Sequence, residues 1–134
     1  MTSDKPRLLD LRTMVAENGS LTIVEPGVDR LFDIKRVYYL HNLSKGAQRG
    51  SHAHRSISQL MVAISGSFVV ELLHSSGSYE FQLSNPEEGL QIPPLTWRTL
   101  RDFSPGAVCL VFASELFDDR EYIRDLEEFT ELNG

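Results

Sequence analysis

The sequence predicts an all-β fold, a sandwich or jelly-roll barrel with one short helix at its C-terminal end. Three observations predict it. Apolar residues recur with a period of two far more often than 3.6, the apolar runs are rich in Val, Ile, Phe and Tyr, and Gly, Pro, Asn and Ser separate them. The runs fall at residues 21–24, 34–40, 59–64, 67–73, 79–83, 90–92, 97–103 and 107–113. Eight strands in a chain of this size suit a two-sheet or barrel architecture.

The connecting pieces carry turn chemistry. Ser75-Ser76-Gly77-Ser78 is suited to a hairpin, the stretch 85–89 to a loop, and Ser104-Pro105-Gly106 to a tight turn. The helix is expected after Asp118, which with Glu121 resembles a capping box, and Tyr122, Leu126 and Phe129 would share its apolar face. No repeat, linker or low-complexity stretch divides residues 1–134, so a single domain is expected. At 134 residues the chain can bury roughly 68% of its unfolded surface, so neither metal nor disulfide is needed to hold it together.

Composition narrows the function classes. The net charge of −6, from 13 basic and 19 acidic residues, argues against nucleic acid as a partner. Much of the acid lies between Glu115 and Glu131, which leaves room for a locally basic pocket elsewhere. Cys109, the one cysteine, sits in an apolar run and reads as a buried thiol. No run reaches the roughly 18 apolar residues of a membrane span and the N-terminus has no signal-like apolar region, so the expected address is the cytoplasm, away from membranes.

The stretch R-G-S-H-A-H at residues 49–54 carries the most information. His52 and His54 are two apart, so on a strand they project from one face and can share a site. Four residues separate His54 from Gln59, and six separate Gln59 from Gly66. This pattern resembles the first motif of the cupins, which implies a small β-barrel with a pocket that would hold both histidines. Gln59 stands where a cupin would carry a metal-binding glutamate, and residues 93–98 lack the second-motif histidine. Two imidazoles and a neutral amide bind a transition metal poorly, so no metal is expected. His41 and His74 read as solvated or structural.

A more specific resemblance spans nearly the whole chain. R-V-Y-Y at residues 36–39, R-G-x-H-A-H, Gly66-Ser67, I-P-P-L-T-W-R at residues 92–98, L-R-D-F-S at residues 100–104, A-S-E-L-F-D at residues 113–118, Y-I-R-D at residues 122–125 and Glu128-Phe129 look like the nucleotide-sugar 3,4-ketoisomerases. The resemblance implies a cofactor-free, metal-independent homodimer acting on dTDP-4-keto-6-deoxyglucose. It further implies delivery of a 3-keto sugar to a pyridoxal-phosphate aminotransferase, for 3-amino-3,6-dideoxyhexoses of lipopolysaccharide or S-layer glycans.

The residues suit this chemistry independently. Moving a carbonyl from C4 to C3 means removing the C3 proton, passing through an enediol and protonating C4, with no net redox change. Neutral imidazole suits the acid/base work, which makes His52 and His54 the expected catalytic pair. Tyr38 and Tyr39 fall on opposite strand faces, so one enters the pocket; Tyr39 is our expected phenol donor and Tyr38 a binding candidate. Arg49, Arg98 and Arg101 are the candidate diphosphate ligands, since the guanidinium fork matches phosphate. Trp97 is a candidate stacking partner for thymine, and Gln59 a neutral hydrogen-bonding group in the pocket. The alternatives are a nucleotide-sugar epimerase with a His–carboxylate dyad, a metal-dependent oxygenase and a sugar-binding cupin without turnover.

Overall fold

The structure is a computed structural model and describes residues 5–27 and 31–133. In chain order the first strands are β1 (Arg7–Asp10), β2 (Arg12–Ala16), β3 (Gly19–Ile23), β4 (Arg36–Leu40), β5 (Arg49–His54) and β6 (Gln59–Ser65). They are followed by β7 (Phe68–His74), β8 (Gly77–Leu83), β9 (Glu88–Ile92), β10 (Trp97–Arg101), β11 (Val108–Ala113) and β12 (Tyr122–Ile123), and then by helix α1 (Leu126–Asn133). One five-stranded sheet has the order β1-β9-β6-β11-β4, a second β12-β5-β10-β7-β8, and β2 pairs with β3 in a separate hairpin.

From β4 onward the chain passes repeatedly from one sheet to the other, which builds the layered all-β architecture that the period-two pattern predicts. The expected barrel is not closed, because the strand pairs among the described residues lie within the sheets and none joins one to the other. The strands are antiparallel wherever they pair within the two sheets, as at Val111 with Tyr38 and with Met61.

The core lies between the sheets. Phe68, Val70, Leu83, Leu90, Ile92, Leu100, Cys109 and Val111 meet there, and burial pushes the Cys109 thiol up to about 12, an inert group as expected. Strand β6 is buried on both faces: Met61 and Ala63 point inward, while Leu60 and Val62 lie under Leu9, Leu11 and Leu31. Gln59 therefore shares the inward parity of Met61. Gly66 closes the turn after β6 at φ +67, and a Cβ there would stand 2.5 Å from Ser104 Oγ and 2.9 Å from Ala107 Cα. No side chain fits that approach.

The C-terminal segment differs from expectation. Asp118 caps a single 3-10 turn, Asp119–Glu121, by accepting from the backbone N–H of Arg120, and the chain then extends as β12 before α1 begins at Leu126. Glu121 does not close a capping box; its carboxylate accepts from Ser56 N and Ser56 Oγ, both at 2.8 Å. These long-range bonds hold Tyr122 in a strand beside β5 rather than in a helix. An eight-residue helix is too short to be stable alone, so α1 depends on Phe129, which is buried against Ala53 and Ile123 and contributes about 2 kcal/mol.

Candidate active site

The strands converge on a cavity of about 470 Å³ opening between the two sheets. Among the described residues that line it, four are arginines (Arg36, Arg49, Arg98, Arg124) and none is a carboxylate. In a chain of net charge −6 this is a local concentration of positive charge. The remaining polar groups are His52, Gln59, Tyr38 and Tyr122.

A bulge sets the position of His52. β5 pairs with β10 through Arg98↔His52 and then Thr99↔Gly50, so Ser51 is an extra residue in the ladder. Gly50 and Ser51 both take left-handed backbone, at φ +89 and +53. A Cβ on Gly50 would lie 3.0 Å from the Arg98 carbonyl oxygen and 3.2 Å from Arg98 Cγ, which excludes a side chain without displacement. The bulge turns the Gly50 carbonyl onto His52 Nδ1 at 3.0 Å. A carbonyl can only accept, so Nδ1 carries the proton, and the lone pair of the neutral ring is on Nε2.

His54 lies next to His52, with ring centroids 4.8 Å apart, and meets Tyr122 edge-on at 4.6 Å. The two histidines share a strand face, as their spacing requires. Only His52 lines the cavity, however; His54 is fully buried, and neither of its ring nitrogens has a hydrogen-bond partner among the described residues. Burial first, and then the Arg98 charge, hold both imidazoles neutral: His52 is lowered to about 4 and His54 to about 2, the latter also by His52.

Arg98 is 2% exposed and its guanidinium crosses between the sheets. Its Nη1 donates to Gln59 Oε1 in a close contact, and its Nη2 donates to the Thr96 carbonyl at 3.1 Å. Gln59 Nε2 in turn donates to Tyr38 Oη at 3.0 Å. Burial lowers Arg98 to about 10, so it keeps its charge at neutral pH, while burial raises the Tyr38 phenol and keeps it protonated. Arg36 stacks over Tyr38 at 5.0 Å and over Phe117 at 5.7 Å, and its buried Nε and Nη2 have no hydrogen-bond partner among the described residues. Arg124 covers Tyr122 at 4.4 Å and pairs with Asp119 at 3.0 Å.

The chain's residues 4–134 match the family model described as FdtA: WxcM-like, C-terminal. The chain belongs to this family. It is 33% identical over 123 residues to a TDP-4-oxo-6-deoxy-alpha-D-glucose-3,4-oxoisomerase of Aneurinibacillus thermoaerophilus, an alignment covering 92% of this chain and 88% of the relative. Among solved structures it resembles the sugar 3,4-ketoisomerase QdtA of Thermoanaerobacterium thermosaccharolyticum in complex with TDP. That comparison has a TM-score of 0.92 and 35% identity, and covers 96% of this chain and 94% of that one. A His-to-Asn mutant of QdtA in complex with TDP-4-keto-6-deoxyglucose also matches at TM-score 0.92 and 34% identity, covering 99% and 96%.

Within this FdtA-like fold, His52, Gln59, Arg49, Arg98 and Tyr38 come together at one cavity, His54 packs behind His52 without lining it, and the three other expected site residues lie on outer faces. Tyr39 projects from the outer face of β4, 59% exposed and 5.4 Å from the His41 ring, because Arg36, Tyr38 and Leu40 take the inward parity. Trp97 is adjacent to the inward Arg98 and so faces out, against Phe129 at 5.8 Å. Arg101, three positions from Arg98, is also on the outer face, where it joins Glu71 at 3.1 Å, Glu80 at 2.9 Å and Asp102. Sequence reasoning missed Arg36, Phe117, Tyr122 and Arg124. Arg36 and Arg124 lie two residues from Tyr38 and Tyr122, and strand alternation places each pair on one face once either tyrosine is known to point inward.

Proposed function

We propose that this chain is a nucleotide-sugar 3,4-ketoisomerase, converting dTDP-4-keto-6-deoxyglucose to a dTDP-3-keto-6-deoxyhexose through an enediol, in one domain. The observation that carries the reading is a neutral imidazole of fixed tautomer facing a cavity with four arginines and no carboxylate. The three relatives named above are a sugar oxoisomerase and two structures of a sugar 3,4-ketoisomerase, which favours the same reaction.

In this reading Nε2 of His52 takes the C3 proton as the C4 carbonyl becomes an enediolate oxygen. The proton returns at C4, the C3 hydroxyl loses its hydrogen as its oxygen becomes the new carbonyl, and O4 gains one. Atoms and electrons balance, so the reaction calls for no cofactor. His54, packed behind His52 and edge-on to Tyr122, holds the first ring in place, and because it does not line the cavity its part in the reaction is to position His52 rather than to meet the sugar. Arg36, Arg49 and Arg124 meet the diphosphate, while Phe117 offers an aromatic face in the pocket for the base. The donor set argues for metal independence: a neutral amide and several guanidinium cations surround the imidazole, and the described residues contain no group of three or more His, Cys, Asp or Glu able to hold a metal ion.

A second copy is the proposed partner in a homodimer, supported by the exposed apolar side chains Met14, Val15 and Leu21 on the β2–β3 hairpin and Val37 and Tyr39 on β4. The 3-keto product is a substrate type for a pyridoxal-phosphate aminotransferase. No helix among the described residues is long and apolar enough to cross a membrane, and the cytoplasm is the proposed address.

The test is NMR of the protein with dTDP-4-keto-6-deoxyglucose. The carbonyl resonance should move from C4 to C3. Epimerisation with the carbonyl left at C4 would make the chain an epimerase, and saturable binding without change would make it a sugar-binding protein. The epimerase reading has little support, since no carboxylate lines the cavity to form its dyad.

A further inference from the structure

Hydrogen-bond direction at the floor of the cavity is fixed from end to end. A guanidinium can only donate, so the amide oxygen of Gln59 must face Arg98, and this decides which end of the amide is which. The Gln59 NH₂ then faces Tyr38 and can only donate to its oxygen. Once Tyr38 Oη has accepted from Gln59, its own hydrogen is left to point away from the amide. Gln59 is fully buried, and Tyr38 lines the cavity on a strand where Arg36 and Leu40 flank it. The relay crosses from β10 in one sheet to β6 and β4 in the other, so three strands hold its geometry.

We propose that Gln59 is a positioning residue that sets the polarity of Tyr38, so that the phenol can only donate into the cavity, toward the oxygen that becomes negative in the enediolate. Gln59 on this account touches no substrate. Its neutral amide does what a carboxylate in the same place would undo: a carboxylate accepts from both neighbours, so the Tyr38 hydroxyl would turn to donate to it and leave the cavity without that donor. Burial supports the role by keeping the phenol protonated. The proposal rests on the ketoisomerase reading for the identity of the oxygen, but the polarity of the relay stands on the hydrogen bonds.

The test is a double-mutant cycle with Gln59→Glu and Tyr38→Phe. The first variant keeps acceptors for Arg98, so the buried guanidinium is not orphaned and the fold is retained. Each single variant should lose roughly 10²-fold in kcat, the usual worth of one donor to an oxyanion, with dTDP affinity changed by less than about threefold. The double variant should be no slower than the worse single variant, because the two changes remove one donor. Losses that multiply to about 10⁴-fold, or an unimpaired Gln59→Glu, would overturn the proposal. NMR of the protein carrying ¹³Cζ-tyrosine, with Tyr38 assigned by its loss in Tyr38→Phe, reads the relay without turnover. Gln59→Glu should displace the Tyr38 resonance downfield as the hydroxyl becomes a donor to carboxylate, and an unmoved resonance would overturn the proposal. A wild-type protein that does not isomerise the sugar at all would defeat the functional reading, while the resonance still decides the role of Gln59.

Discussion

Lowering the pH separates a His52 held neutral by its surroundings from an ordinary solvent-facing histidine. Burial, and secondly the Arg98 charge, depress His52 from 6.5 to about 4, against a smaller opposing effect of its bond to the Gly50 carbonyl. A general base works only when neutral, so kcat/KM must fall as the pH drops through the pKa of the free enzyme's base. At about pH 5.5 a group titrating near 4 is ~97% neutral, whereas one titrating near 6.5 is only ~9% neutral, a roughly tenfold difference in activity. The assay is kcat/KM for dTDP-4-keto-6-deoxyglucose by NMR or coupled transamination, at constant ionic strength from about pH 5 to 9. The profile should be flat from about pH 5.5 upward, since Arg98 and Tyr38 titrate well above neutrality. An acid limb with its midpoint near 6.5 would show that solvent and counter-charge reach the imidazole, and would refute the placement of the base in this cationic, carboxylate-free cavity.

Gly50→Ala should destabilise the fold by about 1–3 kcal/mol in urea unfolding and lower kcat, because the new Cβ meets the Arg98 backbone and disturbs the carbonyl that fixes the His52 tautomer. Arg36→Lys and Arg49→Lys keep the charge but lose the planar fork, so each should raise KM by about tenfold with a smaller change in kcat; unchanged KM in both would put the diphosphate elsewhere. Exhaustive chelation should leave turnover intact, and a loss restored by one divalent metal would overturn the metal-free mechanism.

The strands were legible because alternation and turn chemistry are local properties. The hairpin at 75–78 forms with His74 opposite Gly77, and the turn at 104–106 closes through Ala107 N to Ser104 O. The H-x-H pair was legible in the same way, since a spacing of two puts both rings on one face. Which face turns inward is a tertiary matter. Tyr38 and Tyr39 are equally apolar neighbours, and the choice between them depends on which face of the edge strand β4 turns toward the opposing sheet, where Tyr38 reaches Arg98 of β10 through Gln59. The same alternation, applied to β10, forbids Trp97, Arg98 and Arg101 from sharing a pocket, a constraint their sequence proximity obscures. The end of the chain misled for a different reason. Asp118 and Glu121 have the spacing of a helix cap, but Glu121 finds Ser56, far away in sequence, and the extended β12 that results brings Tyr122 and Arg124 to the cavity. The burial of His54 likewise depends on β12 and was invisible in the motif; its replacement by Asn should therefore cost stability as well as turnover, unlike the same change at His52.

Isomerisation in D₂O tests the central claim, proton transfer through an enediol at His52, most directly. With unlabelled substrate, the 3-keto product should carry deuterium at C4, to the extent that the base exchanges its proton with solvent before returning it, and His52→Asn should reduce the rate by roughly 10²-fold or more. A product that retains the original C3 hydrogen in full at C4, formed at a near-normal rate by the His52→Asn variant, would mean a direct hydride shift and would contradict the account.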